Sequence, residues 1–455
     1  MHQMKKYSSV FIFCLFSVLF SIVSCTTEDA KVPVYEEGSN EYVNDWMYQQ
    51  MKRYYRWNTT MPKKTNLTIN SKEYFTGLLQ KEDIYSYAIH PELPETAPQT
   101  LRGKFGFDVS FFEFEGKAYG TILYVLADSP AQRNGLKRGQ FITKIDGTVV
   151  TKSNYDQLYQ SMITSSQVNL GITSYSTQFG FSGIKEVSVL RGFTFLQPIS
   201  SQIIEEQNRK IGYVEIPHFD VGMAQSFLHI FQELKSKAIT DLVLDLRYNG
   251  GGDIASTTAL SIILAPNIQS GDLFIKFEGN ANGGNVNQTF LEALKSNEAK
   301  VSFEALRSVH PAINRVYVLC GNHTASASEL IINNLKPYMD VITIGEKTFG
   351  KDVASFPIED DRIAGKKGWI LYPAIYKLFN AKGEGDYAKG INPILYTNEI
   401  QSPAVFALGD RSEILLKTAL NTILGNTVKQ ATPVVQSLPL AVTNASVDPL
   451  LFVKP

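Results

Sequence analysis

Asp241-Leu242-Val243-Leu244-Asp245-Leu246-Arg247-Tyr248-Asn249-Gly250-Gly251-Gly252-Asp253 is the stretch that decides the fold. Residues 242–246 read as a buried strand with its end marked by Arg247. Three glycines follow, and then an apolar helical stretch over 254–264. The same alternation extends to either side. Residues 211–216 read as a strand and 223–235 as a helix; farther on, 316–320 is a strand, 327–335 a helix and 341–344 a strand. Strands alternating with helices predict an α/β protein with a mixed, layered core. The successive glycines leave backbone N–H groups unobstructed. Such a turn can stabilise an oxyanion, cradle phosphate or merely reverse the chain. No Gly-Lys-Ser/Thr follows it, which argues against a nucleotide P-loop.

Two later segments carry candidate chemistry. Thr324-Ala325-Ser326-Ala327-Ser328-Glu329 sets a serine among small residues at the mouth of a helix. Gly345-Glu346-Lys347-Thr348-Phe349-Gly350-Lys351 leads from an apolar strand through a small turn to a lysine. A serine hydroxyl is a weak nucleophile until a base takes its proton, and a neutral lysine amine can be that base. A free lysine is neutral in only about one molecule in 2,500 at pH 7, so a working base needs roughly 4 kcal/mol of help. Burial or neighbouring positive charge must supply it. Taken singly, Ser326 reads as a helix-capping serine and Lys351 as a solvated loop lysine. Glu329, in the first helical turn, suits the helix dipole. Asp245 and Arg247 read as groups that orient the glycine turn.

Together the three segments resemble the C-terminal processing, or tail-specific, peptidase family, over about residues 40–425. The resemblance implies a ClpP/crotonase-like peptidase core with Ser326 as nucleophile and Lys351 as general base. It further implies that the backbone N–H groups of Gly251 and Ala327 form the oxyanion hole. Two positions depart from the family pattern. A glutamine that commonly orients the lysine is replaced by Ser355, and the proline of the glycine turn by Gly250. Ser355, Gly250 and Arg247 are therefore expected as supporting residues, with Ser355 reaching less far toward the amine than a glutamine would.

Residues 100–193 resemble a PDZ domain. Ala127-Asp128-Ser129-Pro130-Ala131 through Gly139-Gln140 matches its short helix and turn, and 141–147 a strand ending in an Asp-Gly turn. Lys104-Phe105-Gly106-Phe107 resembles the carboxylate-binding loop, which makes Phe105, Gly106 and Phe107 the expected peptide-binding residues. The alternative is a β-domain whose groove is empty or self-occupied. Ahead of it, 41–99 reads as a small helical support, with helices over 42–57 and 71–79, the second capped by Ser71. Residues 194–425 are the expected peptidase core. Within it, 279–285 reads as an exposed loop, and 383–386 with 390–393 resemble the family's closing hairpin. A final helix is expected over 412–424. The tail 426–455 is rich in Pro, Val and Thr and reads as loosely ordered.

Lys5-Lys6, an apolar run over 10–23 and Ile22-Val23-Ser24-Cys25 have the marks of an export signal over 1–24. Cys25 resembles a lipobox cysteine, with 25–40 as a tether. The expected location is the Gram-negative cell envelope, held by a lipid anchor. Of the three cysteines only Cys320 would remain free, so neither a disulfide framework nor a cysteine metal site is expected. With 43 basic and 44 acidic residues there is no large field to attract nucleic acid. No cofactor or metal is expected, as no zinc-ligand spacing occurs. His218, His229 and His323 show no triad spacing. Two other functions compete with a peptidase acting on polypeptides: a non-catalytic peptide-binding lipoprotein, and a carrier of an apolar ligand.

Overall fold

The computed structural model describes residues 33–193, 197–295, 301–426 and 435–438. The export signal and Cys25 lie outside these residues. The opening run becomes the strand Asp241–Asp245, central in a six-stranded sheet. Across the sheet the order is Leu395–Tyr396, Asp340–Gly345, Arg315–Cys320, Asp241–Asp245, Arg209–Glu215 and Ser200–Glu206. The first five run parallel and the last antiparallel. Leu242, Leu244 and Leu246 face the helices Ala224–Ser236, Ile254–Leu264 and Ala327–Leu335, while Val243 faces Ile414–Ile423 on the other side. A strand covered on both faces has no solvated side, so Leu242, Val243 and Leu244 run together without alternation, and the one buried charge, Asp245, is paired with Arg247.

This topology gathers the candidate chemistry. The glycine turn, Ser326 and Lys351 follow three adjacent parallel strands, Asp241–Asp245, Arg315–Cys320 and Asp340–Gly345. All three segments therefore leave the sheet at its carboxyl edge, where open α/β sheets place their ligands.

Residues 107–190 build a separate antiparallel sheet with its own core around Phe107, Phe111, Ile142 and Val168. Its Asp-Gly turn has positive φ at both Asp146 (47°) and Gly147 (78°), the geometry of a tight hairpin. The helices Asn40–Tyr54 and Ser71–Leu78 pack with Trp369 and Leu371 of the α/β unit. Asn70, not Ser71, caps the second helix, accepting from Lys72 N at 2.9 Å; Ser71 is buried inside it.

Residues 279–285 are the turn-forming, largely exposed loop expected, and they make the bend of a hairpin between Leu273–Glu278 and Asn285–Thr289. The Asn280 and Asn282 amides there donate to the carbonyls of Arg53 and Tyr55. Residues 383–386 and 390–393 form no strand pair, Gly390 lying against Thr348. The tail is not loose throughout, because Gln436–Leu438 adds a strand to the antiparallel sheet.

A buried ionic cluster ties the units together. Arg247 makes a two-point contact with Asp245 (3.0 and 2.9 Å) and another with Glu413 (2.6 and 2.8 Å), and reaches Glu399 at 3.2 Å. Arg138 of the antiparallel sheet meets Glu399 at 2.7 Å and the Tyr248 hydroxyl at 2.9 Å. Arg247 is 2 % exposed, so Arg247→Met strands carboxylates with no counter-charge from that side. It is expected to cost about 3–5 kcal/mol in urea unfolding. A change near zero would show that the cluster adds nothing to stability.

Candidate active site

Ser326 stands at the entry of the helix Ala327–Leu335 with φ 54° and ψ −116°. For a residue with a Cβ this conformation costs about 1–3 kcal/mol and persists only where the surroundings enforce it. They do so here. The Thr324 hydroxyl donates to Leu246 O (2.8 Å) and Ala325 N to Asn249 O (3.1 Å), fastening the serine turn to the glycine turn. Gly251, at φ 107°, lies so close that an added Cβ would sit 2.7 Å from Ser326 Cβ. Only glycine fits there.

Glu329 joins the serine turn to the lysine turn. Its side chain is fully buried and accepts four hydrogen bonds. Oε2 takes Ser326 N (3.0 Å) and Lys351 N (2.7 Å); Oε1 takes Gly350 N (2.7 Å) and the Thr348 hydroxyl (2.5 Å). The backbones of Ser326 and Lys351 thus converge on one oxygen atom. Burial pushes the Glu329 carboxyl up to about 7, against the pull of those donors. A helix-dipole role was all the sequence suggested for it.

Burial also holds the Lys351 amine below the ordinary lysine range, opposed by the carboxylates of Asp83 and Glu329. Asp83 is a residue that sequence reasoning missed. Its Oδ1 accepts from Tyr85 N and Ser86 N, both at 3.0 Å, while its buried Oδ2 has no partner. The Tyr85 hydroxyl donates to Gly350 O at 2.5 Å, which fixes this turn of the N-terminal unit onto the lysine turn.

Several expected contacts are not made. Among the described residues no hydrogen bond joins Lys351 Nζ to Ser326 Oγ. The Ser355 hydroxyl is buried without a hydrogen-bond partner among the described residues, so it makes no bond to the lysine amine. Gly250 is followed by an amide already engaged, for Gly251 N donates to Asn249 Oδ1 (2.8 Å) and is not free for an oxyanion. Ala327 N, first in its helix, has no acceptor among the described residues and remains a suitable donor. The supposed carboxylate loop is closed as well. Phe105 N and Gly106 N both donate to Leu101 O (2.7 and 3.0 Å), and the Phe105 and Phe107 rings are buried in the core.

Cys320 is buried, and burial pushes its thiol up to about 12, which suits an inert core residue. His218 borders Gly252 and pairs with Asp220 at 3.2 Å. Among the described residues there is no cluster of metal-ligating side chains, and no helix is long and apolar enough to cross a membrane.

The site thus brings together a strained serine at a helix mouth, a desolvated lysine on the neighbouring turn and a helix-terminal amide with no acceptor among the described residues. The sequence pattern of Peptidase family S41 matches residues 210–396, and that of the Peptidase S41 N-terminal domain matches 42–87; the chain belongs to this family. It is 25% identical over 350 residues to the carboxy-terminal processing protease CtpA of Bacillus subtilis, covering 76% of this chain and 66% of that protein. It is also 25% identical over 234 residues to a carboxyl-terminal-processing protease of Synechocystis, covering 50% of this chain and 49% of that one. The chain thus spans about half to two thirds of the length of these relatives. A crystal structure assigned to an S41 protease of Bacteroides fragilis superposes with a TM-score of 0.67 at 25% identity, over 88% of this chain and 100% of that one.

Two substitutions test the site. Glu329→Gln sets an NH2 group against N–H donors and is expected to cost about 2–4 kcal/mol in stability. It should also cost about 10²-fold in kcat by displacing the lysine turn. For Lys351 the sign runs opposite to that of an ion-paired lysine. Its folded value lies below the unfolded one near 10.4, so its contribution to stability is complete above that value. It is lost as pH falls through the folded value. At pH 7 the uncharged Lys351→Met should therefore melt higher than the parent. A lower melting temperature would mean that pairing with Asp83 or Glu329 outweighs desolvation.

Proposed function

We propose that this chain is a serine endopeptidase acting on extended polypeptide segments. The carrying observation is the shared Glu329 oxygen, which holds the Ser326 and Lys351 backbones together beside a lysine whose charged form is disfavoured. Lys351 Nζ takes the proton from Ser326 Oγ as that oxygen attacks the scissile carbonyl. The oxyanion formed is met by Ala327 N–H at the helix terminus, and by Gly251 N–H once Asn249 releases it. The lysine then gives its proton to the leaving amine. Lys351 Nζ, neutral again, takes a proton from water as it attacks the Ser326 ester, and returns that proton to Ser326 Oγ as the ester C–O bond breaks and the acid product leaves. Approach of Lys351 Nζ to Ser326 Oγ accompanies substrate binding, when catalytic hydrogen bonds commonly tighten.

In the same reading, 41–99 is the helical support and 100–193 a PDZ-like module that captures or gates the polypeptide. Residues 194–425 are the peptidase core, and 426–455 the tail. Residues 1–24 export the chain and Cys25 anchors it by lipid, through the tether 25–40, to the Gram-negative cell envelope. A non-catalytic peptide-binding lipoprotein is the second reading, favoured by the missing Ser326–Lys351 hydrogen bond and the occupied Gly251 amide.

Turnover of unfolded protein and peptide substrates separates the two. Ser326→Ala is expected to lower kcat by on the order of 10⁶-fold, and Lys351→Ala by about 10²–10⁴-fold, with peptide binding retained in both. Equal, negligible turnover in the parent and both variants would establish the binder.

A further inference from the structure

The sheet over residues 107–190 ends on one side at Gly180–Leu190 and on the other at Phe107–Phe114, whose side away from its neighbour Lys117–Val125 follows directly on the Phe105-Gly106 turn. An edge strand is a template for another chain. Here the chain itself supplies the cover. Gln436–Leu438 lies antiparallel to it, pairing Phe111 with Leu438, Phe112 with Ser437 and Glu113 with Gln436. Leu438 packs against the cluster that contains Phe111, and Val435 is buried with Phe112 on the opposite face. In sequence, Pro433 and Pro439 bracket this window, and neither can donate to a ladder. The occupant is thus short. Three paired residues and two apolar side chains hold it, while 107–110 on the same edge have no strand partner among the described residues.

Its polarity is that of a ligand. From Gln436 to Leu438 the strand advances toward the Phe105-Gly106 turn, the direction in which a peptide would run to present a terminal carboxylate there. That turn is shut. Leu101 O takes both amides, and an added Cβ at Gly106 would lie 2.1 Å from Ser129 Cβ. The resident strand, moreover, is an internal segment, since residues 439–455 follow it.

We propose that the outer edge of Phe107–Phe114 accepts internal extended peptide segments without needing a C-terminal carboxylate, and that residues 436–438 are its built-in, displaceable occupant. The identity of that peptide as substrate rests on the peptidase reading; the binding event does not. Recognition comes from main-chain pairing, with apolar side chains directed to the Phe111 and Phe112 faces. The tethered strand acts at an effective concentration in the range of mM, so free peptide binds only the fraction of molecules whose edge is open.

The test is fluorescence anisotropy with a labelled peptide of sequence Val-Val-Gln-Ser-Leu, prepared as free acid and as C-terminal amide. It is titrated with full-length Ser326→Ala protein, with the same chain ended after Asn426, and with full-length Ser326→Ala/Leu438→Asp. Both altered chains are expected to bind at least about fivefold more tightly than the first protein. Acid and amide should agree within about twofold. Equal affinity for all three proteins, or binding too weak to detect in all, overturns the proposal, as does a tenfold or greater preference for the acid. If the shortened chain does not fold by circular dichroism, the Leu438→Asp comparison decides. Turnover is abolished in every arm, so an inactive parent enzyme leaves this result unchanged and is recognised separately by the turnover assay.

Discussion

One buried carboxylate holds the candidate site together. Glu329 receives two backbone amides of the lysine turn, the Thr348 hydroxyl and the amide of Ser326. Hydrogen bonds to a charged acceptor are each worth about 1.5–3 kcal/mol, and in a buried setting every donor left unpaired is expensive. The arrangement is therefore close to all-or-none. Either both turns sit on Glu329, or four polar groups lose their partner at once. Together with the Thr324 and Ala325 bonds to the glycine turn, this accounts for a serine held at φ 54°.

Much of this was legible locally. The run 242–246, the glycine turn and the small-residue serine segment are short-range patterns, and a parallel sheet converts their order into adjacency at one edge. What escaped was long-range. Asp83 and Tyr85 lie far from Lys351 in sequence, and no local period announces that a Tyr hydroxyl will meet Gly350 O. Glu329 was visible as a residue type at the right end of a helix. Three of its four partners come from a different segment, residues 348–351. The strand at 436–438 was missed because proline-bracketed tail sequence has no partner until the Phe107–Phe114 edge is known.

The antiparallel sheet and the glycine turn share Tyr248. Its hydroxyl donates to Glu399 (2.6 Å), its carbonyl accepts from Arg102 (2.7 Å), and its ring stacks on Tyr124 with centroids 4.9 Å apart. Tyr248 immediately precedes Asn249, whose side chain holds the Gly251 amide. A shift of that sheet relative to the α/β core would have to rearrange this cluster, because charged groups with few alternative partners do not slide continuously. The sheet that offers a peptide edge is thus mechanically joined to the turn that borders Ser326.

The freedom of Gly250 fits the same picture. Proline would stiffen the turn through its fixed φ; glycine removes that restraint. Asn249 restores it differently, closing an Asx turn onto Gly251 N at 2.8 Å while its amide nitrogen donates to Ile216 O at 3.0 Å. Stiffness now comes from a hydrogen bond, and that bond occupies the amide nearest the serine. A bond of this kind is worth about 1 kcal/mol net, whereas an oxyanion-hole donor contributes about 2.7–4 kcal/mol in the transition state. In the proposed mechanism an oxyanion would outcompete the Asn249 carbonyl for Gly251 N–H, while a ground-state carbonyl would not, and the side chain that shapes the turn would hold that amide in reserve.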